Sequence, residues 1–575
     1  MILQALKEYY DRKADDPAAE MAPLGFEWKE IPFIIDLKAD GSPASLECTI
    51  EGEGYKRRAR RYLVPEGVKR GKDIAANLLW DNPEYALGFA MKSKQIRVTA
   101  QHTEFRRRIS DLKCDDPGLH AVKLFMRTVD KERALKSYPA WEQLSKESKS
   151  VSFRLAGDSG IVAERPAVRS AIQRFGTRPS ANQTFCMVSG TKDELERLHT
   201  SIKGVRGTNT TGAKVVSFNM DAFNSYGKKQ GANAPIGKRA AFAYTTALNH
   251  LLRKHSGQRF AGGNNSVVFW AEKACDLEHQ LADLMAEPPK EDPGRNVRAV
   301  ESLLKSPDSS IAPRRGDDAC FYILGLSPNI GRLAVRFWVS STVGEIGDRL
   351  RQHFKDIEIV HGEWEKGVLS LFRLLLSMAA QAEADNISPS LAGETMQAIF
   401  EGLPYPQSLL QAVIRRIRAE QEVNYPRAAL IKAYINRSAR LANRKIVEEL
   451  KVGLDLDNVN IGYRLGRLLA TFEKIQKETS SNVSATVRDR FFGAASGTPL
   501  AVFGNLMRIN NYYLAKLNNI GRGKKFEKLI GQIMEGIKDF PIRLCLADQG
   551  RFAVGYYHQK QDFFHKKDNS TEGGS

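Results

Sequence analysis

The sequence predicts an α+β protein in which a mixed N-terminal region of short sheets and helices is followed by a C-terminal helical bundle. Three observations carry that expectation. Apolar runs of strand length, bounded by turn residues, recur through the first 342 residues. From about residue 366 onward, apolar residues fall instead at a spacing near 3.6. Between these regimes, residues 286–318 carry PPKEDPG and SPDSSIAPRRGDD around one short amphipathic piece, a composition suited to an exposed connection.

The elements follow in chain order. IPFIIDL (31–37) and ASLECTI (44–50) flank the turn residues DGSP and predict a hairpin. FCMVSG (185–190) and SVVFWAE (266–272) are further strand candidates, the second preceded by GGNN. Between them, AAFAYTTALNHLL (240–252) places Phe242, Thr245, Leu248, Asn249 and Leu252 at helical spacing. CFYILGL and RLAVRFWV, joined by SPNIG, predict a second hairpin in which Leu333, Val335, Phe337 and Val339 alternate with differently facing residues; GEIGDRLRQHF then continues as a helix. In IGYRLGRLLATFEKIQ the set Ile461, Leu465, Leu468, Leu469, Phe472 and Ile475 shares one helical face, with Arg464, Arg467 and Lys474 elsewhere.

A chain of 575 residues exceeds what one hydrophobic core organises. Lysine and arginine outnumber aspartate and glutamate by 86 to 67, a net charge of +19 that favours polyanions through counterion release. Nucleic acid is therefore the first partner to expect. The expected domains are a DNA-engaging α+β domain over 1–285, the connection 286–318, a hairpin plus helix over 319–365, a helical bundle over 366–565 and a polar, disordered tail over 566–575. Six scattered cysteines (Cys48, Cys114, Cys186, Cys275, Cys320, Cys545) form no CxxC pair, which suits a reduced, cytoplasmic setting. No run of about 18 apolar residues indicates a membrane span.

Three segments concentrate candidate binding residues. YKRRARRYLVPEGVKRGK (55–72) sets Lys56, Arg57, Arg58, Arg60, Arg61, Lys69, Arg70 and Lys72 against the single acid Glu66, either a solvated face or a nucleic-acid track anchored by Tyr62, Leu63 and Val64. SYGKKQGANAPIG (225–237) packs Gly227, Gly231 and Gly237 around Lys228 and Lys229; it lacks the P-loop spacing, which leaves a surface turn or a backbone-gripping loop. Arg415, Arg416, Arg418, Arg427, Lys432 and Arg437, with Arg440, Arg444 and Lys445, serve solubility or line a single-strand groove, and spacing does not choose. Metal, nucleotide and nucleophile signatures such as HExxH and GxSxG are absent, so neither enzymatic activity nor a cofactor is expected. A nuclease or helicase, or a free-standing single-strand DNA-binding protein, are the rival classes.

Seven ordered blocks carry a resemblance. LLWDNPEYALG, SFNMDAFNSYGKKQGANAPIGKRAAFAYTTALNHLL, VVFWAE, FYILGLSPNIGRLAVRFWV, YRLGRLLATFEKIQ, DRFFGAASGTPLAVFGNLMR and QGRFAVGYYHQ together closely resemble the large subunit of the type I-C CRISPR surveillance complex, Cascade, over nearly the whole chain. The resemblance implies a non-catalytic subunit of an RNA-guided ribonucleoprotein in antiviral defence. Such a subunit recognises the protospacer-adjacent motif in double-stranded DNA, aids R-loop formation and helps recruit a helicase-nuclease, while guide RNA reads sequence. Its implied partners are the crRNA-bound Cascade backbone and other Cascade subunits, target duplex and displaced strand, and a separately translated small subunit resembling 366–565, with Met378 and Met396 as in-frame starts. Within that frame Tyr226, Gln230 and Asn233 are the first motif-reading candidates and Lys72, Asn77 and Asn82 the next. Lys228, Lys229, Gly227 and Gly231, with Lys56, Arg57, Arg58, Arg60, Arg61, Lys69 and Arg70, would hold phosphates, and the six bundle cations from Arg415 to Arg437 the displaced strand.

Overall fold

The structure is a computed structural model describing residues 1–575 except 53–56, 69, 71–73, 92, 177–182, 255, 263–264, 306–318, 366, 444–447, 480–484, 519–521 and 565–575. It is α+β, about 50% helix and 15% strand. Two compact units divide it: Met1–Ser201 with Val216–His250, and Ile202–Val215 with Leu251–Ser575.

The first unit is built on a four-stranded sheet in the order Pro43–Cys48, Phe33–Leu37, Val151–Leu155, Trp80–Asp81. The expected hairpin forms, Phe33 opposite Cys48 and Ile35 opposite Leu46. Its turn is closed by Asp40, whose Oδ1 accepts both the N–H and the hydroxyl of Ser42. Phe33–Leu37 also pairs in parallel with Val151–Leu155 and so lies between two strands, which is why FIIDL carries an apolar run. Arg154 forks across the same strands, donating to Asp36 and Glu47 at 2.7 Å each. The helices Gln95–Asp111 and Pro117–Arg127 bring Phe105 and Phe125 against Phe153. The helix Lys238–Leu251 forms where its periodicity predicts, with Phe242, Thr245 and Leu248 buried.

FCMVSG departs from expectation. Only Gln183–Phe185 is strand, paired with Lys192–Glu194, and Cys186–Gly190 belongs to the connecting turn. A short apolar run is ambiguous by pattern alone, and here Phe185 and Met187 point outward while Cys186 is buried.

In the second unit four antiparallel strands run Arg259–Gly262, Asn265–Ala271, Cys320–Asn329, Arg332–Thr342. Because Trp270 pairs with Tyr322 and Phe269 with Ile323, the expected connection 286–318 falls inside this unit rather than between domains; residues 306–318 themselves lie outside the described set. The hairpin across SPNIG forms, but its register shifts at Gly325/Leu326, where Phe337 opposes Gly325 and Val335 opposes Leu326. Arg336 is thus the extra residue of a bulge, and the alternation changes face there. Phe337 and Val339 enter the core, whereas Val335 is 44% exposed. Gly325 is required at this point, since a Cβ would strike the Phe337 ring.

Helices fill the rest, and their core is continuous with the sheet: Phe400, on Pro389–Glu401, packs its ring on Phe260 and Phe337. At the centre of the helical part, Ile461–Thr479 crosses Leu546–Asp562. Gly462, Gly466 and Gly555 make this crossing close, because a Cβ on each would collide with the carbonyls of Asp548, Phe552 and Tyr463 respectively. All six expected apolar positions face inward, five of them buried, yet Arg467 is buried as well and donates to Gln559 Oε1 at 3.1 Å. Neighbours surround this helix, so its charged positions do not all mark an outer face.

Gly466→Ala should lower the unfolding free energy by about 1–3 kcal/mol or more, because the two backbones must separate. Gly493→Ala, in Val487–Gly497 with nothing beyond its own helical backbone and chain neighbours within 4 Å of its Cβ position, should leave stability unchanged or raise it by up to about 1 kcal/mol. Denaturant midpoints of the two variants check the contrast.

Two buried imidazoles add a pH dependence. His353 lies 2.8 Å from the Tyr405 hydroxyl, and His558 lies 2.9 Å from that of Tyr463. Burial pushes both down to about 3, with Arg437 and Lys432 respectively acting in the same direction. The unfolded chain takes up these protons near the ordinary value of 6.5 and the folded chain does not. Stability present above that pH is therefore lost as pH falls toward 3, with a slope of up to about 1.4 kcal/mol per pH unit per histidine. His353→Gln with His558→Gln should flatten the urea midpoint between about pH 6.5 and 4.5 relative to the parent.

Candidate nucleic-acid interface

The loop 225–237 in the first unit is two consecutive tight turns. Lys228 N–H donates to the Ser225 carbonyl (2.9 Å) and Ala232 N–H to the Lys229 carbonyl (3.1 Å). The central pairs are Tyr226–Gly227, with φ of 52° and 70°, and Gln230–Gly231, with φ of 49° and 87°. Two successive positive φ values are the signature of a type I′ turn, which explains a glycine at the second central position of each. Tyrosine and glutamine at the first position bear a left-handed backbone costing about 1–2 kcal/mol each. That arrangement puts Tyr226, 98% exposed, at the tip, with Lys228, Lys229 and Gln230 exposed beside it.

Asn233 does not join them. Its Nδ2 donates to the Phe223 carbonyl (2.8 Å) and to Ser225 Oγ (3.1 Å), so it closes the base of the loop instead of facing a ligand. Gly231 is buried against the Phe218 ring and is a turn residue, not a phosphate contact. The base is tied to neighbouring chain: Met187 N–H donates to the Pro235 carbonyl (2.8 Å) and Glu196 N–H to the Ile236 carbonyl (2.9 Å). Asp193 Oδ2 accepts the Arg239 N–H at the start of Lys238–Leu251, and Lys238 pairs with Glu194 at 2.7 Å.

The basic run divides. Arg57, Arg60 and Arg61 are exposed and loosely paired, with Glu147 at 3.3 Å, Glu47 at 3.5 Å and Glu20 at 3.8 Å; Arg58 is exposed and donates to the Arg57 carbonyl at 3.4 Å. Ion pairs this exposed contribute little and exchange readily for phosphate. Arg70 is different, because its Nε donates to the Ala75 carbonyl (2.7 Å), it pairs with Asp81, and it stacks 4.1 Å from the Tyr85 ring centre. Asp81 also accepts the N–H groups of Asn77 and Asn82, at 2.8 Å each; burial raises its carboxyl, opposed first by Arg70. Asn77 is buried with its Oδ1 on Val68 N–H, and Asn82 caps the turn Pro83–Ala86 through Tyr85 N–H. These side chains build the segment LLWDNPEYALG and are not presented to a base. Lys56, Lys69 and Lys72 lie outside the described residues.

In the second unit the expected groove does not assemble. Arg427, Lys432 and Arg437 are buried inside the helix Tyr425–Ala442 packing. Arg427 donates to the carbonyls of Ser377 and Glu422 at 3.0 Å and pairs with Glu420, Lys432 pairs with Glu448 at 2.8 Å, and Arg437 donates to the Ala398 carbonyl at 3.1 Å. Long cationic side chains at helical spacing look the same in sequence whether they point out or reach carbonyls within a core. Arg415 and Arg418 remain exposed, Arg418 donating to Gln549, while Arg416 pairs with Glu420 at 2.6 Å. Arg444 and Lys445 lie outside the described residues.

Among the described residues no group of three or more His, Cys, Asp or Glu side chains could hold a metal ion. No described helix is long and apolar enough to cross a membrane. Two exposed residues escaped sequence reasoning, Phe185 at the end of its strand and Met187 in the following turn, which carries the Pro235 tether; the alternation around Cys186 was their signal.

The fold and this loop-bearing α+β unit belong to a protein class that comparison identifies. The chain belongs to the Cas_Csd1 family of CRISPR-associated proteins, whose family model matches residues 6–564. No curated protein matches it.

Proposed function

We propose that this chain is the large subunit of a crRNA-guided type I-C Cascade complex, that it reads the protospacer-adjacent motif in duplex DNA through the loop 225–237, and that it aids duplex opening and recruitment of a helicase-nuclease. Family membership supports a place in CRISPR defence. The observation that carries the motif-reading role is the pair of left-handed, non-glycine turn residues, Tyr226 and Gln230, on a braced loop with Lys228 and Lys229 between them. Backbone strain that is retained while holding side chains in solvent points to a contact made outside the molecule. Lysines supply phosphate attraction, and a ring with an amide supplies stacking and base-edge hydrogen bonds.

The test is binding of the assembled complex to matched duplexes differing only in the motif. Tyr226→Ala with Gln230→Ala should bring correct-motif binding toward incorrect-motif binding, by about 1–3 kcal/mol for each base-reading side chain removed. Lys228→Ala with Lys229→Ala should weaken both targets and reduce the slope of log affinity against log salt by about 0.9 for each phosphate released. Asn233→Ala, which releases the loop base, should weaken both without changing that slope. With magnesium and ATP but no helicase-nuclease, every sample should leave the DNA uncut. Full motif preference in the Tyr226 and Gln230 variant would move the reader elsewhere.

The same proposal includes a short helical polypeptide begun inside this chain. Met378 follows the helix Leu371–Leu376, so a start there keeps Pro389–Glu401 and every later helix whole; Met396 lies within Pro389–Glu401 and would cut it. Such a fragment lacks Phe260 and Phe337, and its Phe400 would need a new apolar partner in the complex. Met378→Leu should remove a short co-purifying species seen on denaturing gels, and Met396→Leu should leave it.

A further inference from the structure

We propose that an acidic-rimmed apolar groove in the second unit, lined by the helix Arg295–Lys305, the end of Val343–Ile357 and Tyr425, is a docking site for a basic amphipathic helix of a protein partner. The groove lies wholly within that unit, and the motif-reading role of the loop 225–237 does not enter the argument.

The groove has a volume of about 400 Å³. Val297, Val300, Glu301 and Leu304 line it at helical spacing, so one face of Arg295–Lys305 runs along it for about two turns, or about 10 Å. Phe354 and Ile357 line it from the helix Val343–Ile357 and are part of the buried core. Its edges are apolar and reach solvent, Leu304 being 38% exposed and Val452 36%. The backbone at Val360 is already committed: its N–H donates to the Val452 carbonyl and its carbonyl accepts the Tyr557 hydroxyl, both at 2.9 Å. An extended segment would find no free strand edge there. A helix needs only side-chain contacts, and apolar residues at its own i, i+3, i+4 and i+7 positions suit a groove of this form.

Charge selects the partner. The chain carries a net charge of +19, yet Glu358–Glu365 holds three acids and no lysine or arginine. Glu301 and Glu358 line the groove and are exposed, as are Glu363 and Glu365 close by in the chain. Among the described residues, no ion pair neutralises Glu358, Glu363 or Glu365. Burial pushes the Tyr425 hydroxyl up, and Glu365 and Glu358 push it further, so both carboxylates act at the Tyr425 end of the groove. The cation opposing them, Arg373, is itself paired with Glu287 at 2.8 Å. Unneutralised carboxylates repel phosphate, which disfavours nucleic acid here despite the overall charge. A small polyamine would match the carboxylates but leave Leu304 and Val452 in water. A helix with lysine or arginine flanking an apolar stripe meets both features, the stems covering the apolar edges and the charges reaching the rim.

The experiment measures fluorescence anisotropy of a labelled synthetic peptide with the full-length chain. The peptide has about four helical turns, leucine at i, i+3, i+4 and i+7, and lysine flanking that stripe. A second peptide carries glutamate in place of every lysine. The lysine peptide should bind in the micromolar range, and the glutamate peptide at least about tenfold more weakly. Glu358→Lys with Glu365→Lys should weaken the lysine peptide by about tenfold, whereas Glu535→Lys, at an exposed site on neither rim nor groove, should leave it unchanged. Leu304→Glu with Val452→Glu, both at partly exposed positions, should weaken the lysine peptide about tenfold with an unchanged urea midpoint. A lysine peptide that does not bind, that binds no better than the glutamate peptide, or that keeps its affinity in the Glu358 and Glu365 variant overturns the proposal. An equal loss in Glu535→Lys overturns it in favour of general charge attraction. Displacement of the bound peptide by an equal concentration of spermidine overturns it in favour of a small-cation site.

Discussion

The second unit depends on one close approach, the crossing of Ile461–Thr479 with Leu546–Asp562 through Gly462, Gly466 and Gly555. With backbones this near, the last helix sits at the middle of the helical part, and nearly its whole circumference from Gly550 to Gln559 is buried. Helices around a buried helix must satisfy its polar groups as well as its apolar ones. That is why His558 meets the Tyr463 hydroxyl, Gln559 accepts from Arg467, and Tyr556 donates to Glu473.

The same packing changes what the net charge means. A balance of +19 draws the chain to polyanions only through cations that solvent can reach. Arg427, Lys432, Arg437 and Arg467 are inside, bonded to backbone carbonyls, to the Gln559 amide oxygen and to carboxylates at the edge of the packing. Removing one of them would unsatisfy the core before it altered any surface potential. Available attraction therefore lies with exposed residues such as Arg57, Arg58, Arg60, Arg61, Lys228, Lys229 and Arg415.

What was legible in the sequence follows from how local each feature is. DGSP and SPNIG sit between apolar runs, and both hairpins formed where those turn residues placed them. The period of Ile461–Thr479 gave the helix and its inward apolar face. The bulge at Arg336 had no local sign, since it depends on the Phe337 ring crossing Gly325 of the facing strand. The loop 225–237 was visible through its glycines, but the division of labour within it was not: Asn233 turns inward because Phe223 and Ser225 offer it partners, while Gln230, equally polar, is carried out by a positive φ. For the same reason Asn77 and Asn82 looked available and are occupied, their side-chain oxygens accepting the N–H groups of Val68 and Tyr85.

In the first unit, backbone strain and exposed apolar side chains single out fewer residues than charge does. A turn could have used Asn-Gly or Gly-Gly at both tips without cost, yet the chain keeps Tyr-Gly and Gln-Gly. A hairpin could have hidden its apolar residues and shown its acids, yet it shows Phe185 and Met187 and commits Asp193 and Glu194 to the helix start. Each choice raises the free energy of the isolated fold, by about 1–2 kcal/mol per left-handed residue and a comparable amount per exposed apolar side chain. The two elements are tied by the hydrogen bond from the Met187 N–H to the Pro235 carbonyl. A side chain already ordered before contact loses little further entropy on binding any partner, and that saving offsets part of the strain stored in the free protein.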